Sequence, residues 1–216
     1  MPLTIPEELL LLMLDDSTGR VHDRAAPSGD FALAGAVLAE LAMRNRIDTD
    51  PKHLFVADST PLGDPMLDGV LARIAAAGRQ EDSRWWIETL SREAPDFREA
   101  LFARLVARGI LRVEDGKFLW LFSERRYPVV SDKEEREVKA RLLGVIFDDE
   151  IPEPHDALLL GLARAAGLFG LILSAEELDS AQPRIDQVAG LEDISRAVSA
   201  AVRDIYLEIA RWAPMM

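Results

Sequence analysis

Apolar positions recur at three- and four-residue spacing along most of this chain, the period of a helix that buries one stripe. Leu33, Val37, Leu38 and Leu41 in "DFALAGAVLAELAMRNRI" share a face and predict a helix whose C-terminal end carries Arg44 and Arg46, where positive charge suits the helix dipole. Phe97, Leu101 and Leu105, widened by Phe102 and Val106, predict another from Asp96 to Arg108, with Arg104 and Arg108 pointing outward. Thr4 with Glu7, Ser131 with Glu134 and Ser174 with Glu177 have capping-box spacing and place three more helix starts. The full set of predicted helices is Ile5 to Asp15, Asp30 to Ile47, Pro65 to Ala77, Ser83 to Leu90, Asp96 to Arg108, Asp132 to Phe147, His155 to Leu168, Ala175 to Ser180, Arg184 to Val188 and Leu191 to Trp212. Hairpins are predicted at Ile47 to Ala57 and at Ile110 to Phe122, the second turning on Asp115-Gly116. The polar loops between these elements are short, so the expected fold is mainly α: a single compact helical domain over residues 1–216 with one or two small β-hairpins.

Two places break the pattern. From Phe118 to Phe122 five apolar residues follow one another, where a half-buried strand would alternate apolar with polar. An arm that is apolar on both faces, Phe118, Leu119, Trp120, Leu121 and Phe122, needs cover from outside its own hairpin, and basic residues flank it: Lys117 before, Arg125 and Arg126 after. The other place is Arg98, a cation in the predicted first turn of its helix, where the dipole disfavours it unless an anion is shared. Asp96 or Glu99 supplies that anion on the plain reading, and a phosphate supplies it on the sharper one.

Composition narrows the function. The 216 residues carry 25 Lys plus Arg against 38 Asp plus Glu, a net charge of −13, which opposes non-specific attachment to nucleic acid or to an anionic bilayer, so that any such contact must be local. With no cysteine, disulfides and thiolate metal sites are excluded, and a reducing cytoplasm is compatible. The start of the chain has no basic segment before its short apolar run and reads as no signal peptide, while the apolar window Ala157 to Leu173 contains Arg164 and reads as a buried core helix rather than a membrane span. His22, His53 and His155 lack metal-ligand spacing and read as surface or capping residues. Phosphate-loop, dinucleotide and nucleophile-elbow motifs are missing, so no catalytic residue, metal or cofactor is expected.

"REALFARLVARGILRVEDGKFLWLF", taken with "LTIPEELLLLMLDDSTGR", "LAGAVLAELAMRNRI", "GDPMLDGVLARI" and "WIETLS" in that order, resembles the Golgi phosphoprotein 3 family, in its bacterial members. The resemblance covers most of the chain. It implies a mainly helical domain which, in eukaryotic members, binds phosphatidylinositol 4-phosphate at Golgi membranes and retains glycosyltransferases. It also implies that the apolar hairpin serves membrane insertion and self-association. The family's headgroup site carries over in part. Arg98 matches one arginine of a pair, Pro95 stands where the other would be, and Ala34 stands at an arginine of the second helix. A tryptophan position falls on Arg24 or Ala25, so Arg24 is a candidate replacement charge. The basic extension that precedes the fold in eukaryotic relatives is not expected, since the fold starts here at about Leu3.

Two readings follow. In one, the chain is a non-enzymatic peripheral membrane protein, cytoplasmic and attached to the inner face of the cell membrane. Arg98 and Arg24 meet an anionic headgroup, the hairpin enters lipid, and Lys117, Arg125 and Arg126 supply the second, electrostatic signal that such an anchor needs. In the other, phosphoinositide binding is lost and the same hairpin is covered by a second copy or an unknown protein partner in a cytosolic scaffold. A winged-helix nucleic-acid binder fits poorly, since Glu99 lies on the helix, the wing is apolar and the net charge is negative.

Overall fold

Helix α1 (Ile5–Leu12) is buried over its whole length, Glu7 and Glu8 included. The computed structural model describes residues 2–15, 18–22, 28–50, 52–79, 81–118, 122–148, 150–189 and Glu208. A short antiparallel pair follows α1, β1 (Leu14–Asp15) with β2 (Arg20–Val21), and then α2 (Ser28–Met43). A second pair, β3 (Ile47–Thr49) with β4 (Leu54–Val56), leads to α3 (Pro65–Ala76), α4 (Ser83–Ser91) and α5 (Ala94–Ala107). A third pair, β5 (Glu114–Phe118) with β6 (Phe122–Arg126), precedes α6 (Lys133–Phe147), α7 (Pro154–Ala165), α8 (Phe169–Ile172) and α9 (Ala175–Ala189). The fold is mainly helical, with small two-stranded sheets as connectors.

α1 packs against α2, α5, α6 and α7, and α2 is itself nearly enclosed, against α1, α4, α5 and α7. Leu33, Val37, Leu38 and Leu41 all face this core, as their spacing predicts. Helix ends are closed by local hydrogen bonds. Asn45, Gly109 and Gly167 adopt positive φ at the ends of α2, α5 and α7, and the next amide reaches back to Leu41, Leu105 and Ala163 respectively, so the last carbonyls of each helix are satisfied.

Four expected element boundaries are corrected. The helix from Ile5 stops at Leu12, because Leu14 and Asp15 pair with Val21 and Arg20. Asp115-Gly116 is not a turn: Asp115 faces Arg125 and Gly116 faces Glu124 within the ladder, so strand pairing runs through the Asp-Gly dipeptide and the chain reverses between Phe118 and Phe122. The helix predicted from His155 to Leu168 ends at Ala165, where Gly167 breaks it before α8. The two helices placed on either side of Pro183 are one, α9. Proline costs that helix a backbone bond, but burial of Ala181, Ile185 and Val188 and the bonds of Arg184 to the Val145 and Glu150 carbonyls hold both halves in line. The predicted helix Leu191 to Trp212 lies outside the described residues except for Glu208.

The start of α1 is the electrostatic centre. Glu40 of α2 accepts from the Ile5 amide at 3.0 Å, and Glu7 accepts from the Thr4 amide at 2.8 Å, so carboxylates meet the positive end of the helix dipole. Arg104 and Arg108 keep about a third of their side chains exposed, but both also pair with the buried Glu7, and Arg104 reaches Asp64, the cap of α3, at 2.6 Å. His155, in the first turn of α7, is a third exposed and reaches inward to a buried carboxylate. Its Nε2 lies 2.8 Å from Glu8 Oε2, which also accepts from Arg141 at 2.8 Å, while Arg141 Nε bonds Asp156. Burial pushes the Glu8 carboxyl up, but the hydrogen bonds from His155 and Arg141 outweigh it and hold the group below the ordinary carboxylate range. Burial likewise depresses His155, and the bond and charge of Glu8 outweigh it and raise the imidazole above its ordinary range.

Two stability predictions follow from these contacts. Glu8 stabilises the fold above the ordinary carboxylate range and loses that contribution as pH falls through its lowered value; His155 stabilises it below the ordinary imidazole range and loses that contribution as pH rises through its raised value. His155→Gln is therefore expected to cost more stability at about pH 6 than at about pH 9, and Arg141→Met, which leaves Glu8 with His155 as its partner, about 1–2 kcal/mol, both read by urea denaturation. Gly19 and Gly109 both have positive φ, but a Cβ on Gly19 would lie 2.6 Å from Pro128 N, whereas one on Gly109 meets nothing within 4 Å. Gly109→Ala should cost about 1 kcal/mol for the left-handed backbone alone, and Gly19→Ala at least twice that, compared by thermal melting.

Candidate functional site

Helix α5 begins at Ala94, with Pro95 in its first turn, two residues earlier than the apolar spacing suggests. Arg98 therefore sits in the second turn, where the dipole has largely faded. Its anion comes from neither of the two acidic neighbours considered from the sequence: Arg98 Nη1 donates to Asp30 Oδ1, from the first turn of α2. The two side chains are 24% and 30% exposed, so the pair lies at the surface end of the α2–α5 contact and is open to solvent. Asp30 gains twice in this position, from the guanidinium and from the N-terminal end of its own helix.

One turn further along α5, Phe102 stacks on Tyr127, with ring centroids 3.9 Å apart and planes within 2°. Tyr127 follows β6 directly, and its amide donates to the Gly19 carbonyl at 2.8 Å, in the turn between β1 and β2. Only a glycine allows that approach, for the steric reason given above. The foot of the β5–β6 hairpin is closed from the other side as well: the Arg112 amide donates to Pro128, Leu111 bridges Val129, and the Val130 amide donates to Ile110. One face of α5 thus gathers the Arg98–Asp30 pair, the Phe102–Tyr127 stack, the β1–β2 turn and the foot of the hairpin.

The hairpin itself pairs Glu114 with Arg126, Lys117 with Ser123 and Phe118 with Phe122. The apolar run is thereby divided: Phe118 ends one strand and Phe122 opens the other. Leu119, Trp120 and Leu121 lie outside the described residues, and of Lys117, Phe118, Phe122 and Arg125 the description reaches the paired backbone only. Arg24 lies outside the described residues too. Arg126 is half-buried, with its Nε unpartnered, and Arg112 at the foot is neutralised by Glu114 at 2.6 Å. Val113 and Val130 expose 49% and 58% of their surface beside the foot, so apolar surface is continuous with the base of the arm.

The arrangement can hold an anion and present an apolar edge. Of the family positions considered above, Ala34 is fully buried in α2 and has no room for an arginine, Pro95 belongs to the first turn of α5, and Arg98 already has a carboxylate. Sequence reasoning missed Asp30, Tyr127 and Gly19. Asp30 had a signal, an acidic residue in the first turn of a predicted helix; the pairing of Gly19 with Tyr127 had none, since it joins segments more than a hundred residues apart. Among the described residues, no three acidic or histidine side chains are grouped so as to hold a metal ion, and no helix is long and apolar enough to cross a membrane.

The vacuolar protein sorting-associated protein 74 of Eremothecium gossypii is 30% identical over 165 residues, covering 67% of this chain and 49% of that protein. The protein of the same name from Schizosaccharomyces pombe is 26% identical over an alignment of 239 positions, covering 97% of this chain and 68% of that protein. The chain thus spans about half the length of the first relative and 68% of the second. The model of the family described as Golgi phosphoprotein 3 (GPP34) matches residues 5–209, from the first residue of α1 to beyond α9. By the extent of that match, the chain belongs to the Golgi phosphoprotein 3 (GPP34) family.

Proposed function

We propose that this protein is a non-enzymatic peripheral membrane protein that engages an anionic phospholipid headgroup, phosphatidylinositol phosphate-like, and inserts its hairpin into the bilayer. It works on the cytoplasmic side, at the inner face of the cell membrane. The observation that carries the reading is the position of the chain reversal, with Phe118 paired to Phe122 and three large apolar residues between them in the sequence. Hairpin connections are ordinarily polar, with Gly, Asn and Asp at the turn; an apolar one on an arm fastened at its foot suits a hydrocarbon phase. Phe118, Trp120 and Phe122 each contribute about 1.5–3 kcal/mol on full transfer, an upper bound before ordering costs. Lys117, Arg125 and Arg126 add about 1 kcal/mol apiece near an anionic surface, which offsets the repulsion expected from a net charge of −13.

Arg98, with Arg24 as a second charge, is assigned to the headgroup. Asp30 already occupies Arg98, so a phosphate has to displace a carboxylate. A surface ion pair of this kind is worth about 1 kcal/mol at most, little enough for a doubly charged phosphate to overcome, and Asp30 then sets the affinity from below. A second reading draws on Val113 and Val130, which extend apolar surface at the hairpin foot. In it the arm is covered by a second copy of the chain or by a protein partner, in keeping with the protein sorting named for the relatives.

Vesicle flotation separates the two. With phosphatidylcholine vesicles containing phosphatidylinositol 4-phosphate, Trp120→Asp should lower partitioning at least tenfold, and Arg98→Ala should weaken the dependence on the anionic lipid. Asp30→Asn should strengthen binding severalfold, by removing the competing carboxylate. Equal recovery of all four proteins, together with a Trp120→Asp variant that light scattering shows to be folded and monomeric beside an oligomeric parent, would favour the scaffold.

A further inference from the structure

Away from α5, the outer edge of β4 has an unpaired stretch among the described residues, at Val56, beside a small cleft whose accessible lining is mainly polar. The β3–β4 register sets Ile47 opposite Val56 and Thr49 opposite Leu54, while the Asp50 amide donates to His53 and the Ala57 amide to Arg46. Ladder bonds in an antiparallel pair fall on alternate residues, so Phe55 and Ala57 face β3 while Leu54 and Val56 turn their backbone groups the other way. The Leu54 amide confirms the alternation by donating outward, to the Glu81 carbonyl at 2.8 Å. Val56, one rung further on, has neither its N–H nor its C=O paired among the described residues.

The cleft of about 240 Å³ runs along this edge, between Leu54–Val56 and the end of α3 at Ile74 and Ala77. Its lining includes Trp86 of α4, which is 3% exposed and whose indole Nε1–H is buried with no hydrogen-bond partner. A donor left in that state costs free energy that an incoming acceptor recovers. At the rim, Arg79 is 88% exposed and only loosely paired, 3.7 Å from Glu81. The volume is below the roughly 300–1,000 Å³ of small-molecule sites, and suits one or two side chains whose own backbone continues past the edge.

We infer that β4 and the cleft beside it form a docking groove for an extended peptide from a partner protein, an apolar-acidic segment that adds a strand to β4. The peptide backbone pairs with the Val56 N–H and C=O, an apolar side chain fills the cleft against Ile74 and Ala77, a carbonyl or carboxylate accepts from Trp86 Nε1, and an acidic side chain meets Arg79. Free strand edges recruit peptides in this way, with the backbone bonds giving affinity and the pocket giving selectivity. The chemistry of the groove fixes the charge of its occupant, since the open cation at its rim is Arg79. The inference is independent of Arg98 and of the hairpin.

An array of capped hexapeptides tests it, alternating apolar with acidic residues, beside a matched array with lysine at the acidic positions. The wild-type protein should select acidic members by about fivefold over basic ones. Val56→Pro should lower retention by about tenfold, since it deletes the outward N–H at an edge position that tolerates proline and leaves the β3–β4 ladder intact. On the best-retained peptide, the Trp86 indole resonance, assigned by its loss in Trp86→Phe, should move downfield on binding, and Trp86→Phe should bind several times more weakly. Equal retention by Val56→Pro, no preference for acidic members, or a Trp86 indole signal that does not move would each overturn the inference. So would sedimentation showing that Val56→Pro converts a dimer to a monomer, which would give the edge to a second copy instead.

Discussion

A helix that is buried on every side needs a wall of apolar neighbours, and a helix that begins with two acidic residues needs cations inside that wall. α1 makes both demands at once. Leucines along it are enclosed by α2, α5, α6 and α7, and its first turn brings Glu7 and Glu8 into the same enclosure. The cations arrive from three helices: Arg104 and Arg108 from α5, Arg141 from α6 and His155 from α7. Glu40 of α2 completes the arrangement by accepting from the Ile5 amide while Arg44 neutralises it. Buried charge of this kind contributes little net stability compared with a well-packed apolar substitute, but each member is costly to lose singly. The effect is to specify which helices surround α1 and in what rotational setting, because a turned helix would leave a carboxylate stranded. The proposed site inherits that setting, since α5 carries Arg98 and the Phe102 ring on which the hairpin foot rests.

Helices whose packing follows from their own spacing were readable in advance. α2 is the clearest case, with every apolar residue of its predicted inward face in the core, and the cap signals at Thr4 and Ser174 mark real helix starts. Misreadings came where distant packing outweighs a local rule. Pro183 is a sound reason to end a helix, yet the apolar side of α9 and the bonds of Arg184 continue it. Asp115-Gly116 is a strong turn signal, yet the cross-strand partners of both residues belong to a longer ladder. Arg104 and Arg108 are partly solvent-facing as a helical projection has them, but their pairing with the buried Glu7 was invisible, because that glutamate lies about a hundred residues earlier.

The candidate site was legible as chemistry and illegible as geometry. An unusual cation at Arg98 and an unbroken apolar run from Phe118 were visible as departures from pattern, and both belong to the region built on α5. The identity of the counter-ion was not. Asp96 and Glu99 are neighbours along the chain, whereas Asp30 becomes a neighbour only once α2 and α5 pack. The open edge of β4 was also out of reach: three-residue strands carry too little pattern to say which side of a hairpin stays uncovered, and nothing in the local sequence around Trp86 says that its indole N–H goes without an acceptor.

The hairpin foot has no free joint. Both of its ends are stitched to the body: the incoming strand through Leu111 and Arg112, the outgoing one through the Tyr127 amide at Gly19 and the ring on Phe102. In the proposed attachment, the orientation of the arm would pass through these bonds to α5.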